Sequence, residues 1–347
     1  MRSIASLVAV GAVIAATWAW AQVPSRVEPS REAQGRTPPR EDTDVVALFR
    51  YEPTGLSLLR PYERGRIPVI LIHGLWSNPW SWAQMIKEME ADATLRARYQ
   101  FWTFGYSTGD PLAYSATLLR RDLDEVRQRF DPERSDAAFN RMVLVGHSMG
   151  GLLAKMMVQE SGPRLWRLVS DRPVEDLAGD QADRDLLRSA LIFRPRPEVR
   201  RVVFIATPHR GSRVDGGGLE RLGSRLVRLP DALRASYGRL ISRNGPDFFV
   251  ERFRKGLPTS IDELQWQSPM LMGVDELGLA PNVTAHSIIA DRRDPPGADG
   301  SDGLVQYESA HLDGVATELL VPSGHLCQDH PAVIREVGRI LKEHAIR

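Results

Sequence analysis

Met142-Val143-Leu144-Val145-Gly146-His147-Ser148-Met149-Gly150-Gly151-Leu152-Leu153 is the stretch from which the fold of this chain is read. Four apolar residues form a short buried-strand pattern, and Leu152 to Gln159 continues at helical spacing. Between them Gly146-His147-Ser148-Met149-Gly150 fits the G-x-S-x-G pattern, in which a strand turns sharply into a helix and presents a serine hydroxyl at the bend. Such a turn strains the backbone at the serine and leaves no room for side chains at Gly146 or Gly150. Ser148 is therefore the candidate nucleophile.

Working outward, the chain from Val45 alternates short apolar runs with helical patterns, the mark of βαβ units and a mostly parallel sheet. Ile67 to Ile72, Tyr99 to Tyr106, Arg141 to Gly146, Arg200 to Ala206, Val283 to Ala290 and Thr317 to Val321 read as strands. Pro111 to Arg129 reads as a helix that sets Leu112, Ala116, Leu119, Leu123 and Val126 on one face. The last helix starts beside Pro331 and carries Val333, Val337 and Leu341. The expected domain covers 43–347, with two long insertions at about 162–198 and 212–280. Insertions of that length between core strands commonly serve as lids or binding loops.

The second insertion holds an amphipathic basic pattern, with Leu219, Leu222, Leu226 and Leu229 on one face and Arg221, Arg225 and Arg228 on another. Residues 191–255 carry fifteen Lys or Arg against six acids. A helical cap that meets lipid or an anionic substrate is one reading, and an ordinary helix packed on its own domain is the other.

Arg2 is followed by an almost uncharged apolar run from Ile4 to Trp20 that closes on Ala19-Trp20-Ala21. That is a secretory leader, residues 1–21, and it predicts export to the periplasm or the medium. An uncleaved N-terminal membrane anchor is the alternative, because Trp18 and Trp20 suit either use. Residues 22–42 are polar, rich in Pro and Arg and aperiodic, and read as a flexible lead-in. Removing Arg2 with the leader takes the bases from 45 to 44, equal to the 44 acids, so no global field recruits nucleic acid or membrane. Cys327 is the single cysteine and cannot form an internal disulfide. Stability must come from a hydrophobic core.

From about Pro68 to Leu341 the chain resembles the α/β-hydrolases, bacterial lipases and esterases in particular. Beside the elbow, His73-Gly74-Leu75-Trp76 resembles the oxyanion loop of bacterial lipases, and Ala206-Thr207-Pro208-His209-Arg210-Gly211-Ser212 resembles a segment of lipase-like members and relatives of the GPI-inositol deacylases. Ser301-Asp302-Gly303-Leu304-Val305 resembles the loop that delivers the catalytic acid, and Ser323-Gly324-His325 the histidine loop. The order Ser, Asp, His is the one this fold uses. The resemblance implies a mostly parallel sheet flanked by helices, with a helical cap.

A serine hydroxyl needs a base within hydrogen-bond reach, and His325 is the candidate, with His330 its rival. Asp302 is the candidate acid that would hold the imidazole tautomer, with Asp291 and Asp294 as alternatives in the same loop. The backbone amides of Leu75 and Met149 would form the oxyanion hole. Trp76 and His209 are candidates for substrate contact, and His73 and His147 for shaping turns. The chain lacks H-E-x-x-H, paired cysteines and an EF-hand pattern, so neither metal nor cofactor is expected.

The expected activity is hydrolysis of carboxylic esters through an acyl-enzyme. An amidase, thioesterase or acyltransferase would use the same residues, and a binding protein that kept the fold without turnover is a reading of a different class. The expected partner is a small-molecule or lipid ester, with a membrane-surface contact through the basic cap as the further expectation and no nucleic acid.

Overall fold

The computed structural model describes residues 54–213 and 229–346. The expected leader (1–21), the lead-in (22–42) and, in the basic cap, Leu219, Leu222, Leu226, Arg221, Arg225 and Arg228 lie outside the described residues. Seven strands form one sheet among them: β1 (Gly55–Leu58), β2 (Ile67–Ile72), β3 (Tyr99–Gly105), β4 (Met142–His147), β5 (Val199–Ile205), β6 (Thr284–Asp291) and β7 (Thr317–Pro322). The strand order is β1-β3-β2-β4-β5-β6-β7. All neighbours are parallel except β1, which runs antiparallel along β3 at one edge.

Every residue of β2 and β4 is buried, which explains their continuous apolar runs: both faces of a parallel sheet are covered. Ile70 and Ile72 join one core with Leu119, Leu123 and Leu152. Val69 and Leu71, equally buried, point to the opposite face because side chains alternate along a strand. The helices in chain order are α1 (Ala83–Ala91), α2 (Ala93–Arg98), α3 (Leu112–Phe130), α4 (Met149–Met157), α5 (Arg164–Arg167), α6 (Gln181–Leu191), α7 (Asp231–Asn244), α8 (Ser260–Glu263), α9 (Pro269–Asp275), α10 (Tyr307–Ala310) and α11 (Pro331–Ile346). The stripe expected on α3 is the buried one, and Val333, Val337 and Leu341 are buried on α11.

Two strands differ from their sequence reading. β1 is four half-buried residues and carries no long apolar run to announce it. β7 is an edge strand, half-buried along most of its length, where the sequence suggested a core strand.

The two insertions bear helices that pack together. Asp183 of α6 accepts hydrogen bonds from Ser236 Oγ (2.7 Å) and from the Arg239 guanidinium of α7 (2.7 Å). Near the end of the second insertion, α9 is pinned to α4, the helix that follows the elbow. Lys155, 1% exposed, places its ammonium 2.8 Å from Asp275 Oδ1, and Arg210 Nε lies 2.9 Å from the other carboxylate oxygen. Gln159 of the same region donates to the carbonyls of Val274 (2.9 Å) and Leu277 (2.7 Å).

Burial lowers the Lys155 pKa, and Asp275 opposes that shift. Removing the carboxylate leaves a buried ammonium without its counter-charge. Asp275→Asn is therefore expected to destabilise the fold by about 3 kcal/mol or more, read as a lower urea midpoint. Adding Lys155→Met should recover much of the loss; an Asp275→Asn midpoint equal to wild type would show that the pair holds nothing.

Candidate active site

Because β2, β4, β5, β6 and β7 are parallel, the loops that follow them open at one edge of the sheet. Ligand sites of open α/β sheets form there, outside the carboxyl ends of the strands. His73-Gly74-Leu75 follows β2, Ser148 follows β4, Ala206 to Ser212 follows β5, the segment carrying Asp302 follows β6, and His325 follows β7. β4 lies near the middle of the sheet, so its loop is flanked on both sides by others.

Ser148 occupies a left-handed backbone conformation, φ 54° and ψ −125°, at the junction of β4 and α4. Its amide donates to Ile205 O at 2.8 Å, which ties the turn to β5. The glycines around it are packed against main chain. A Cβ on Gly150 would lie 2.2 Å from Ile72 O, and one on Gly146 2.5 Å from the backbone of Gly151. Gly74 makes the other close approach, since a Cβ there would lie 2.9 Å from Ser148 Cβ and 3.0 Å from His147 Nδ1. The loop after β2 thus rests directly on the elbow.

Three side chains from three strand ends fall into line. Ser148 Oγ lies 2.8 Å from His325 Nε2, and His325 Nδ1 lies 2.7 Å from Asp302 Oδ2. Asp302 is 1% exposed, and its other oxygen accepts the amides of Leu304 (2.8 Å) and Val305 (2.7 Å). Those two amides fix the carboxylate so that Oδ2 alone faces the imidazole.

Asp291, the alternative acid, is committed elsewhere. Its carboxylate accepts the amides of Arg293, Gly297 and Ser301 and is paired with the Arg293 guanidinium at 2.8 Å. The Arg293 hydrogen bond is the main force that holds its pKa well below the usual carboxylate range. It organises the loop that delivers Asp302. His330, the alternative base, opens α11: its Nδ1 takes the amide of Ala332 and its carbonyl that of Ile334.

The amides of Leu75 and Met149 have no acceptor among the described residues, so both donors remain available at the elbow. Trp76, half-buried with φ 53°, continues the same loop and donates its amide to Thr108 Oγ1 at 3.3 Å. His209, the other candidate for substrate contact, lies in the segment that follows β5. Its ring is wholly buried against the Phe204 edge, and neither nitrogen has a partner among the described residues. Its amide donates to Ser309 O at 2.9 Å, which anchors the loop.

Sequence reasoning gave His73 and His147 only a shaping role. His73 stacks on Tyr106 at 4.5 Å, and the Tyr106 hydroxyl donates to His73 O at 2.8 Å. His147 does more than shape the turn, because its Nε2 lies 2.8 Å from His325 O across 178 residues of sequence. Nothing in the local pattern announces that contact. Among the described residues no group of His, Cys, Asp and Glu side chains is arranged to hold a metal ion, and no helix is long and apolar enough to cross a membrane.

Solved structures that share features with the chain include the mature lipase BlEst2 of Bacillus licheniformis, 13% identical with a TM-score of 0.48 over 84% of this chain and 99% of that one. An esterase of Pyrococcus furiosus is 15% identical with a TM-score of 0.40, covering 80% of this chain and 83% of its own. A metagenomic carboxyl esterase is 20% identical with a TM-score of 0.39, covering 82% and 79%. Among curated proteins none matches the chain. The model of the alpha/beta hydrolase family matches residues 69–337, which include most of β2, the elbow and the first seven residues of α11. The chain belongs to the α/β-hydrolase family.

Proposed function

We propose that the protein is a serine esterase that cleaves carboxylic esters through an acyl-enzyme. The observation that carries this reading is the unbroken line from Asp302 through His325 to Ser148, with both hydrogen bonds at 2.7–2.8 Å. His325 Nε2 takes the Ser148 proton as Oγ attacks the ester carbonyl, and Asp302 stabilises the imidazolium that forms. The carbonyl oxygen, now an oxyanion, takes the free amides of Leu75 and Met149. Collapse breaks the bond to the alcohol, which leaves with the proton from His325. Water then enters, gives its proton to His325 and releases the acid by the same steps in reverse order.

A panel of p-nitrophenyl esters from acetyl to palmitoyl tests the reading and orders the substrates by chain length. Hydrolysis of none of them, with the protein folded, would overturn it. Amidase, thioesterase and acyltransferase chemistry on the same residues are separated by amide, thioester and alcohol-acceptor substrates in the same assay.

The close approach of Gly74 supplies a sharper test of the oxyanion loop. In Gly74→Ala the new methyl meets the Ser148 and His147 side chains and pushes the loop, with the Leu75 amide, off the elbow. Turnover is expected to fall by about 100-fold, the scale of one lost oxyanion donor, with KM little changed. Wild-type kcat in that variant would mean that Leu75 donates nothing to the reaction.

A further inference from the structure

The histidine loop must stay seated on the elbow throughout the reaction, because His325 exchanges protons first with Ser148 and then with the leaving group. Between the elbow and this loop the described residues make two side-chain bridges: Ser148 Oγ to His325 Nε2, and His147 Nε2 to His325 O at 2.8 Å. The first is broken and remade as Ser148 loses and regains its proton. The second involves no reacting atom.

A carbonyl oxygen only accepts, so the bond to His325 O requires the proton of His147 on Nε2. His147 is 2% exposed, and its ring lies 5.1 Å from the His325 ring. Burial, and then the neighbouring His325, lower its pKa to about 3, so at neutral pH the ring is uncharged and adds no positive charge beside a forming imidazolium. The same carbonyl also accepts the Cys327 amide at 2.9 Å, so both its lone pairs are engaged and its direction is fixed.

We propose that His147 is a positioning residue: its Nε2–H grips the main chain of His325 and keeps that imidazole in line between Ser148 and Asp302. The inference rests on the reading of Ser148 and His325 as nucleophile and base. It predicts a role in kcat, since a ring displaced by about 1 Å costs on the order of 100-fold while substrate binding is untouched.

The test compares His147→Met, which keeps length without a donor, with His147→Gln, whose amide NH₂ reaches the same place. Hydrolysis of p-nitrophenyl acetate and the rate of fluorophosphonate labelling are measured for both beside wild type. The Met variant is expected to lose 30- to 100-fold in kcat and in labelling rate, with KM within threefold, and the Gln variant to return within fivefold of wild type. A folded Met variant at wild-type kcat, or a folded Gln variant as impaired as Met, overturns the proposal.

If the Met variant does not fold, nitrogen NMR of the wild-type histidines decides. The proposal requires His147 neutral with its proton on Nε2; a proton on Nδ1 or a cationic ring overturns it. Wild-type protein that neither turns over esters nor takes the label would overturn the esterase reading instead, and the tautomer measurement still reports on His147.

Discussion

Ser148→Ala is expected to eliminate fluorophosphonate labelling and to lower ester turnover by on the order of 10⁴- to 10⁶-fold, with the fold intact. Ser148 Oγ donates to no residue besides His325 among the described contacts, so the deletion removes one hydrogen bond and no packing of consequence. His325→Ala should cost a similar factor. The two losses should not add, because each residue acts only through the other; the double variant is expected to match the worse single one. His330→Ala, by contrast, removes a first-turn contact of α11 and should leave kcat within a few-fold of wild type. Labelling that survives Ser148→Ala, or equal losses at positions 325 and 330, would reassign the chemistry.

Asp302→Asn is expected to lower kcat by about 10⁴-fold. The surroundings say why an isosteric change is so costly. The oxygen that meets the amides of Leu304 and Val305 must remain an oxygen, so the new NH₂ group turns toward His325 Nδ1. That nitrogen must then accept, its proton moves to Nε2, and the face toward Ser148 can no longer take a proton. Asp291→Asn should behave differently, losing thermal stability while kcat among folded molecules stays within about tenfold.

The sign of the pH dependence follows from the lowered pKa of Asp291, which makes its ionised form more favourable in the folded state than in the unfolded one. That stabilisation is complete above the ordinary aspartate pKa of about 3.9 and is lost as pH falls through and below it. The gap in stability between wild type and Asp291→Asn is thus expected to be full at neutral pH and to narrow under acid. A gap that widens under acid, or an Asp291 variant as inactive as Asp302→Asn, would show that the two carboxylates have been given the wrong tasks.

What the sequence determined by itself is whatever depends on near neighbours. The β4 run, the glycines on either side of Ser148 and the helix beyond it lie within about fifteen residues, and steric limits at a sharp turn leave few other readings of them. The parallel strands were legible because burial on both faces demands unbroken apolar runs, and α3 because its stripe follows the helical period. β1 escaped because an antiparallel edge strand of four half-buried residues needs no such run.

The tertiary structure decided what depends on distant segments meeting at the carboxyl edge of the sheet. Asp291 and Asp302 leave the same strand and look alike in sequence. Only the folded loop shows that Arg293 and three amides consume the first while two amides aim the second at His325. His209, a candidate for substrate contact, is enclosed against Phe204, and His147, expected only to shape a turn, reaches the main chain of His325. A side chain's type limits which bonds it can make, but its partner is set by which strand ends the sheet order places side by side, and that order is fixed by burial summed over the whole core.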